Sequence, residues 1–241
     1  MKDNFRERVD LVFSSGALIA ADVAARTLKF LDVRDAINLY GTSMSISKAL
    51  TTIEKSNKPN FNIESQNHSV HFSTLKSHHL QLLSITGKMP CMMKFWENLV
   101  DFYSSEYGFI QACVLNEHYS YWQNAQDPLQ YEAAERSIEN LRFISNELPP
   151  PLNQAIIDTT SNPGRILVSQ GYIEMIGNIM WFGDKFPQVI DDEKISLLLK
   201  KFDGILVERE RNSTKIVVME SSFDEKTSEE LQDRLRNVIY G

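Results

Sequence analysis

The chain has 241 residues, 42% hydrophobic and 24% charged, so it can build a sizeable core and is not a disordered or fibrous sequence. Its formal charge of −7 argues against nonspecific DNA or RNA binding, since that affinity comes from Lys and Arg neutralising phosphates. A basic protein partner suits the balance better than nucleic acid does, although solubility alone also accounts for modest acidity.

In chain order, Arg8-Val9-Asp10-Leu11-Val12-Phe13 reads as a first strand, and Ser14-Ser15-Gly16 leads into an amphipathic helix carrying Leu18, Val23, Leu28 and Leu31. A second helix is predicted over 43–55, with Met44, Ile46, Leu50 and Ile53 as its apolar stripe. Residues 69–72 read as a strand, and 92–103 as a helix with Met93, Trp96, Leu99 and Val100 turned inward. The stretch 109–121 is read as strand on the strength of Cys113-Val114-Leu115. Asp127-Pro128 supplies an N-cap and a first-turn proline for a helix over 129–141. Asp191-Asp192-Glu193 opens a helix running to Lys201, with Leu197 to Leu199 as its apolar face. A hairpin of 204–208 and 214–219 turns at Arg211-Asn212-Ser213, and a last helix covers 228–239. Helices are not spaced regularly between the strands, so the expected class is α+β, a mostly antiparallel sheet packed with several helices. One domain is expected over 1–241, with Pro149-Pro150-Pro151 as the candidate internal boundary.

No apolar run approaches the ~20 residues that a bilayer span needs, and the charged start, Met1 to Asp10, lacks a signal-peptide core. The cytoplasm is the expected compartment, with no membrane partner. Cys91 and Cys113 read first as reduced, buried thiols and second as a disulfide.

Catalytic signals are few. His68, His71, His78 and His79 lie close in sequence, but strand alternation sends His68 and His71 to opposite faces, so solvated or hydrogen-bonded histidines are the first reading and a metal site the second. No His-Glu-x-x-His, Gly-x-Ser-x-Gly, phosphate loop or Gly-x-Gly-x-x-G occurs. Cys113 and His118 are better read as an inert core thiol and an unrelated neighbour than as a nucleophile pair. No cofactor is expected. Glu132, Glu135 and Glu139 are expected along one side of a helix, able to face a basic protein or to pair with Arg136 and Arg142 as a salt-laced surface.

The densest feature is 162–186, which holds Gly164, Gly171, Gly177 and Gly183 together with Trp181-Phe182 and almost no reactive side chain. Glycines beside large rings fix shape, which suits a binding or folding element rather than a reaction centre. For Trp181-Phe182, core packing is the first reading and an interface anchor the second; Asp184 and Lys185 should be exposed.

Gly164-Arg165, Gly171-Tyr172-Ile173-Glu174 and Met180-Trp181-Phe182-Gly183 followed by Phe186 resemble the signature region of the immunity protein 52 family of bacterial polymorphic toxin systems. The family's usual second aromatic after the position of Phe186 is replaced here by Pro187. The resemblance implies a cytosolic antidote, found with type VI secretion and bacterial competition, that neutralises a cognate toxin, often a nuclease with a restriction-endonuclease-like fold. It implies no enzymatic activity. The expected partner contacts are Glu132, Glu135, Glu139, Glu174 and Asp184, with Tyr172 and Trp181 as anchors. The competing reading is a metal-dependent hydrolase assembled around 68–79, and a third is an intracellular scaffold.

Overall fold

The computed structural model describes residues 6–56, 60–87, 93–225 and 229–241. In chain order these form β1 (Glu7–Ser14), α1 (Ala20–Phe30), β2 (Ile37–Leu39), β3 (Thr42–Met44), α2 (Ile46–Lys55), β4 (Phe61–Glu64), β5 (His68–Leu75), β6 (Leu80–Gly87) and α3 (Met93–Ser104). There follow β7 (Phe109–Asn116), α4 (Glu117–Asn124), α5 (Pro128–Ala133), β8 (Phe143–Ser145), β9 (Ala155–Ile157), β10 (Leu167–Ser169), β11 (Tyr172–Glu174), β12 (Ile179–Gly183), α6 (Asp192–Lys201), β13 (Leu206–Arg209), β14 (Ser213–Val217) and α7 (Glu229–Ile239). The class is α+β, and the chain ends in a β-hairpin followed by a helix.

Ten strands form one sheet in the order β13-β14-β12-β7-β1-β6-β5-β4-β2-β3, every neighbouring pair antiparallel. Alternation along β1 sends Val9, Leu11 and Phe13 to one face and Val12 to the other. The first face is covered by α1, α2 and α3, whose Val23, Ala24, Leu28, Ala49, Ile53, Trp96, Leu99 and Val100 close a single core with Val114, Ile179 and Trp181. The second face packs Cys113, Met180, Phe182 and Ile216 against Leu198 of α6 and Leu235, Val238 and Ile239 of α7. Covered on both sides, β7 is buried at all eight positions, which explains its nearly continuous apolar run. The second face is open farther along the sheet, where Asn38, Glu64 and His71 are exposed. Among the described residues no helix is long and apolar enough to cross a membrane.

Several expected elements are shorter or differently divided. Ser43 and Met44 belong to β3, because α2 starts only at Ile46, where the Ser45 hydroxyl accepts from the Lys48 amide at 3.4 Å. The predicted strand over 109–121 stops at Asn116, whose side-chain oxygen accepts from the Tyr119 amide at 3.1 Å and so starts α4. Asp127 caps α5 as expected, but α5 ends at Ala133. Its end is a Schellman motif: the Arg136 amide donates to Tyr131 O at 2.9 Å, the Glu135 amide to Glu132 O at 3.0 Å, and Glu135 takes a left-handed φ of 55°. On α6 only Leu198 of the three leucines is buried; Leu197 and Leu199 face outward. Pro149 to Pro151 lie in the loop between β8 and β9, which pair with each other in a separate two-stranded sheet.

At the β13-β14 edge the buried Lys215 ammonium donates to Glu97 Oε1 at 2.5 Å and to Glu208 Oε2 at 3.1 Å, tying α3 to the sheet. The Lys215 bond, outweighing the effect of burial, holds the Glu97 carboxyl below its ordinary value of 4.5. A carboxylate lowered on folding contributes stability that is complete above the unfolded value and is lost as pH falls through the folded one. Chemical denaturation of the wild type and Glu97→Gln should therefore differ most at neutral pH, and the difference should shrink below roughly pH 4.5. A gap that is constant across that range would contradict this role for the pair.

Candidate functional site

The glycine-bearing unit is built into the second face. Gly171, at φ 80°, closes the tight turn between β10 and β11. The half-buried Tyr172 ring then stacks on Tyr240 with centroids 6.0 Å apart and meets Phe186 edge-on at 5.8 Å. Glu174 faces Arg236 of α7 at 3.4 Å. Arg236 is itself buried and donates to the carbonyl oxygens of Arg165 at 2.7 Å and Pro163 at 3.3 Å, fastening the unit to α7. Burial, and next the charge of Arg165, lower the pKa of this guanidinium. Further along, Trp181 and Phe182 of β12 point to opposite faces and join the two separate cores.

These positions sort the expected contacts. Trp181 is 0% exposed, so its reading as an interface anchor is corrected: the indole is core and has no surface to present. Tyr172 and Glu174 are half-buried and already engaged by Tyr240 and Arg236. Asp184 is exposed, as is Lys185.

Glu132, Glu135 and Glu139 are all exposed, but they do not share a helix face, because α5 ends between the first and the second. The salt-laced helix is corrected with it. Arg136 turns instead to Glu225 at 2.6 Å and lies 4.5 Å over the Trp122 ring, and Arg142 pairs with Asp158 at 3.4 Å. Among the described residues none of the three glutamates has a cationic partner.

The histidines are dispersed. His68 stacks on Phe95 at 5.8 Å, His71 is exposed three residues along the same strand, and the His118 ring accepts from Trp122 Nε1 at 3.1 Å. Among the described residues no group of three or more His, Cys, Asp or Glu could hold a metal ion. Cys113 is a free, buried cysteine, and burial pushes its thiol well above the ordinary range. The expectation for Cys91 lies outside the described residues.

What the sequence reading missed is the neighbourhood of the glutamates. Residues 126–160 form an arm attached through a small separate core of Trp122, Ala125, Tyr131 and Ile157, with Leu141 against it. Ile138, Phe143, Leu148 and Leu152 of this arm are exposed apolar side chains. Phe143 lies beside Ile144, and Leu148 and Leu152 flank the proline run, in a stretch with neither a sustained strand nor helix period, so no periodic signal marks them. Two open clefts border α4 beside the arm, one of about 540 Å³ lined by Arg8, Ser120, Tyr121 and Asn124, the other of about 570 Å³ lined by Trp122, Arg136, Asn162 and Glu225. The surface thus offers carboxylates, amides and apolar side chains, the groups of a protein-recognition face.

No family model matches the chain. No curated protein matches it in sequence. Among solved structures, the T6SS protein PA0821 of Pseudomonas aeruginosa is similar, with a TM-score of 0.50 and 10% identity over 98% of this chain and 72% of that one. At this identity the likeness is one of fold.

Proposed function

We propose that this protein is an antidote that binds a cognate bacterial toxin, a nuclease with a restriction-endonuclease-like fold, and neutralises it stoichiometrically in the cytoplasm. The observation that carries the reading is the use made of the glycine unit. The residues that resemble the immunity protein 52 signature supply shape: Gly171 a turn, Trp181 and Phe182 the two cores, and Tyr172, Glu174 and Phe186 the attachment to α7. Such a signature specifies a scaffold, and the scaffold presents exposed carboxylates at Glu132, Glu135, Glu139 and Asp184 that have no cationic partner among the described residues. The fold likeness to a T6SS protein over nearly the whole chain supports the same reading. A nuclease carries a cationic substrate surface, and an acidic protein is steered to it by complementary charge. Blocking a cleft asks for no catalytic group, so the protein is proposed not to be an enzyme.

The test is co-expression with the toxin-like product of the neighbouring gene. Restored growth together with co-purification of the two proteins is the expected result. Continued toxicity and no complex, with this protein folded, would overturn the antidote reading.

A further inference from the structure

We infer that the arm formed by residues 126–160 is the docking element, and that its occupant is a cationic protein surface with an apolar depression; this rests on the antidote reading and names the part of the protein that meets the toxin. Six acids, Asp127, Glu132, Glu135, Glu139, Glu147 and Asp158, stand against two arginines in this segment, so it holds −4 of the chain's −7. Arg136 is engaged by Glu225 and Trp122, and Arg142, itself exposed, pairs with the buried Asp158. Outward, the arm sets the exposed Asp127, Glu132, Glu135, Glu139 and Glu147 against the exposed Arg142, so its surface charge is predominantly carboxylate.

Apolar side chains accompany the charge. Leu129, Ile138, Phe143, Leu148 and Leu152 are 68%, 37%, 41%, 48% and 60% exposed, although β8 and β9 have only three residues each. Contiguous exposed apolar surface rimmed by polar residues marks protein contact sites, and Leu148 and Leu152 flank one proline turn closed by the Leu152 amide on Pro149 O at 2.9 Å.

The tip is held in one shape. Asn146 Oδ1 accepts from the Leu148 amide at 3.2 Å and from the Gln154 amide at 3.1 Å, Asn146 Nδ2 donates to Leu152 O at 2.9 Å, and the Glu147 amide donates to Ser145 Oγ at 3.1 Å. Leu148 and Leu152 are thus presented by a braced loop, which lowers the ordering cost of association. Charge selects the occupant. A surface with this acid excess repels nucleic acid and anionic lipid, and two such arms repel each other, whereas a cationic protein gains both steering and apolar contact.

Binding of the neighbouring gene's toxin-like protein would be measured by surface plasmon resonance for the full-length wild type and three variants. Leu148→Ser with Leu152→Ser should weaken affinity about 100-fold, mainly through faster dissociation. Glu132→Lys with Glu139→Lys and Glu147→Lys should slow association about tenfold or more and flatten its salt dependence. A matched reversal at the far end of the sheet, Asp35→Lys with Glu54→Lys and Glu64→Lys, should change affinity less than about threefold. Hydrogen exchange on the wild-type complex gives a reading without any substitution, with new protection expected across 126–160. Wild-type-like binding by folded arm variants, or protection confined to other segments, would overturn the arm while leaving the antidote intact. A folded wild type that does not bind would overturn both.

Discussion

Gly177→Ala should leave little or no folded protein. The residue lies just before β12, where that strand joins the buried β7, and a methyl group there would overlap the Val114 carbonyl oxygen and come within 2.5 Å of Cys113 Sγ. The clash is with the backbone of a strand that is buried on both faces, so no side chain can swing aside to relieve it. Overpacking of this kind costs about 3 kcal/mol or more, a large part of the stability of an ordinary domain. Gly204→Ala is the control: its φ of 80° makes a side chain unfavourable, but nothing lies within 4 Å of the new methyl. That substitution should cost only about 1–2 kcal/mol. Expression in soluble form and the midpoint of urea unfolding separate the two; equal stability of the variants would refute the close approach at Gly177.

Trp181→Ala should lower the unfolding free energy by about 3–5 kcal/mol, the range for removing a large buried aromatic. The indole is fully buried among the strands and helices of the first face, with Ala112 of β7 and Lys215 of β14 as its pairing neighbours. Its Nε1 has no hydrogen-bond partner among the described residues, so the loss comes from packing and cavity formation, not from a broken polar contact. Because the ring has no surface, the fraction that remains folded should bind the proposed toxin partner as the wild type does. Unfolding curves read with binding at a temperature where the variant is still folded check both halves. A stable variant with weakened binding would return Trp181 to the interface.

The parts of the fold legible in the sequence are those where one pattern holds along a whole element. The first strand, the capped α6 and the C-terminal hairpin and helix follow from alternation, helical spacing and an acidic N-terminus. Residues 109–121 were harder, because β7 and α4 share a run of apolar and aromatic side chains and only the Asn116 cap divides them. The helix expected over 129–141 failed for a specific reason. Its stop signal is a left-handed glutamate at 135, where glycine is the residue that would announce such a turn. With the helix went the shared face of Glu132, Glu135 and Glu139, although all three remained exposed.

The glycine unit was legible as a shaping element, and its glycines do set a turn and a close strand approach. Its aromatic pair could not be divided between core and surface from sequence, since an indole looks alike in both; β12, third from the sheet edge and covered on both faces, settles it as core. The arm's apolar tip follows from a hydrogen-bonded loop around Asn146, which depends on contacts between residues six and eight apart and has no periodic trace.

Inhibition by direct binding, the proposed function, is read by titrating purified protein into an activity assay of the purified toxin-like product of the neighbouring gene. Activity should fall linearly with added protein and reach zero at a fixed molar ratio. Full toxin activity in the presence of excess folded protein would contradict it.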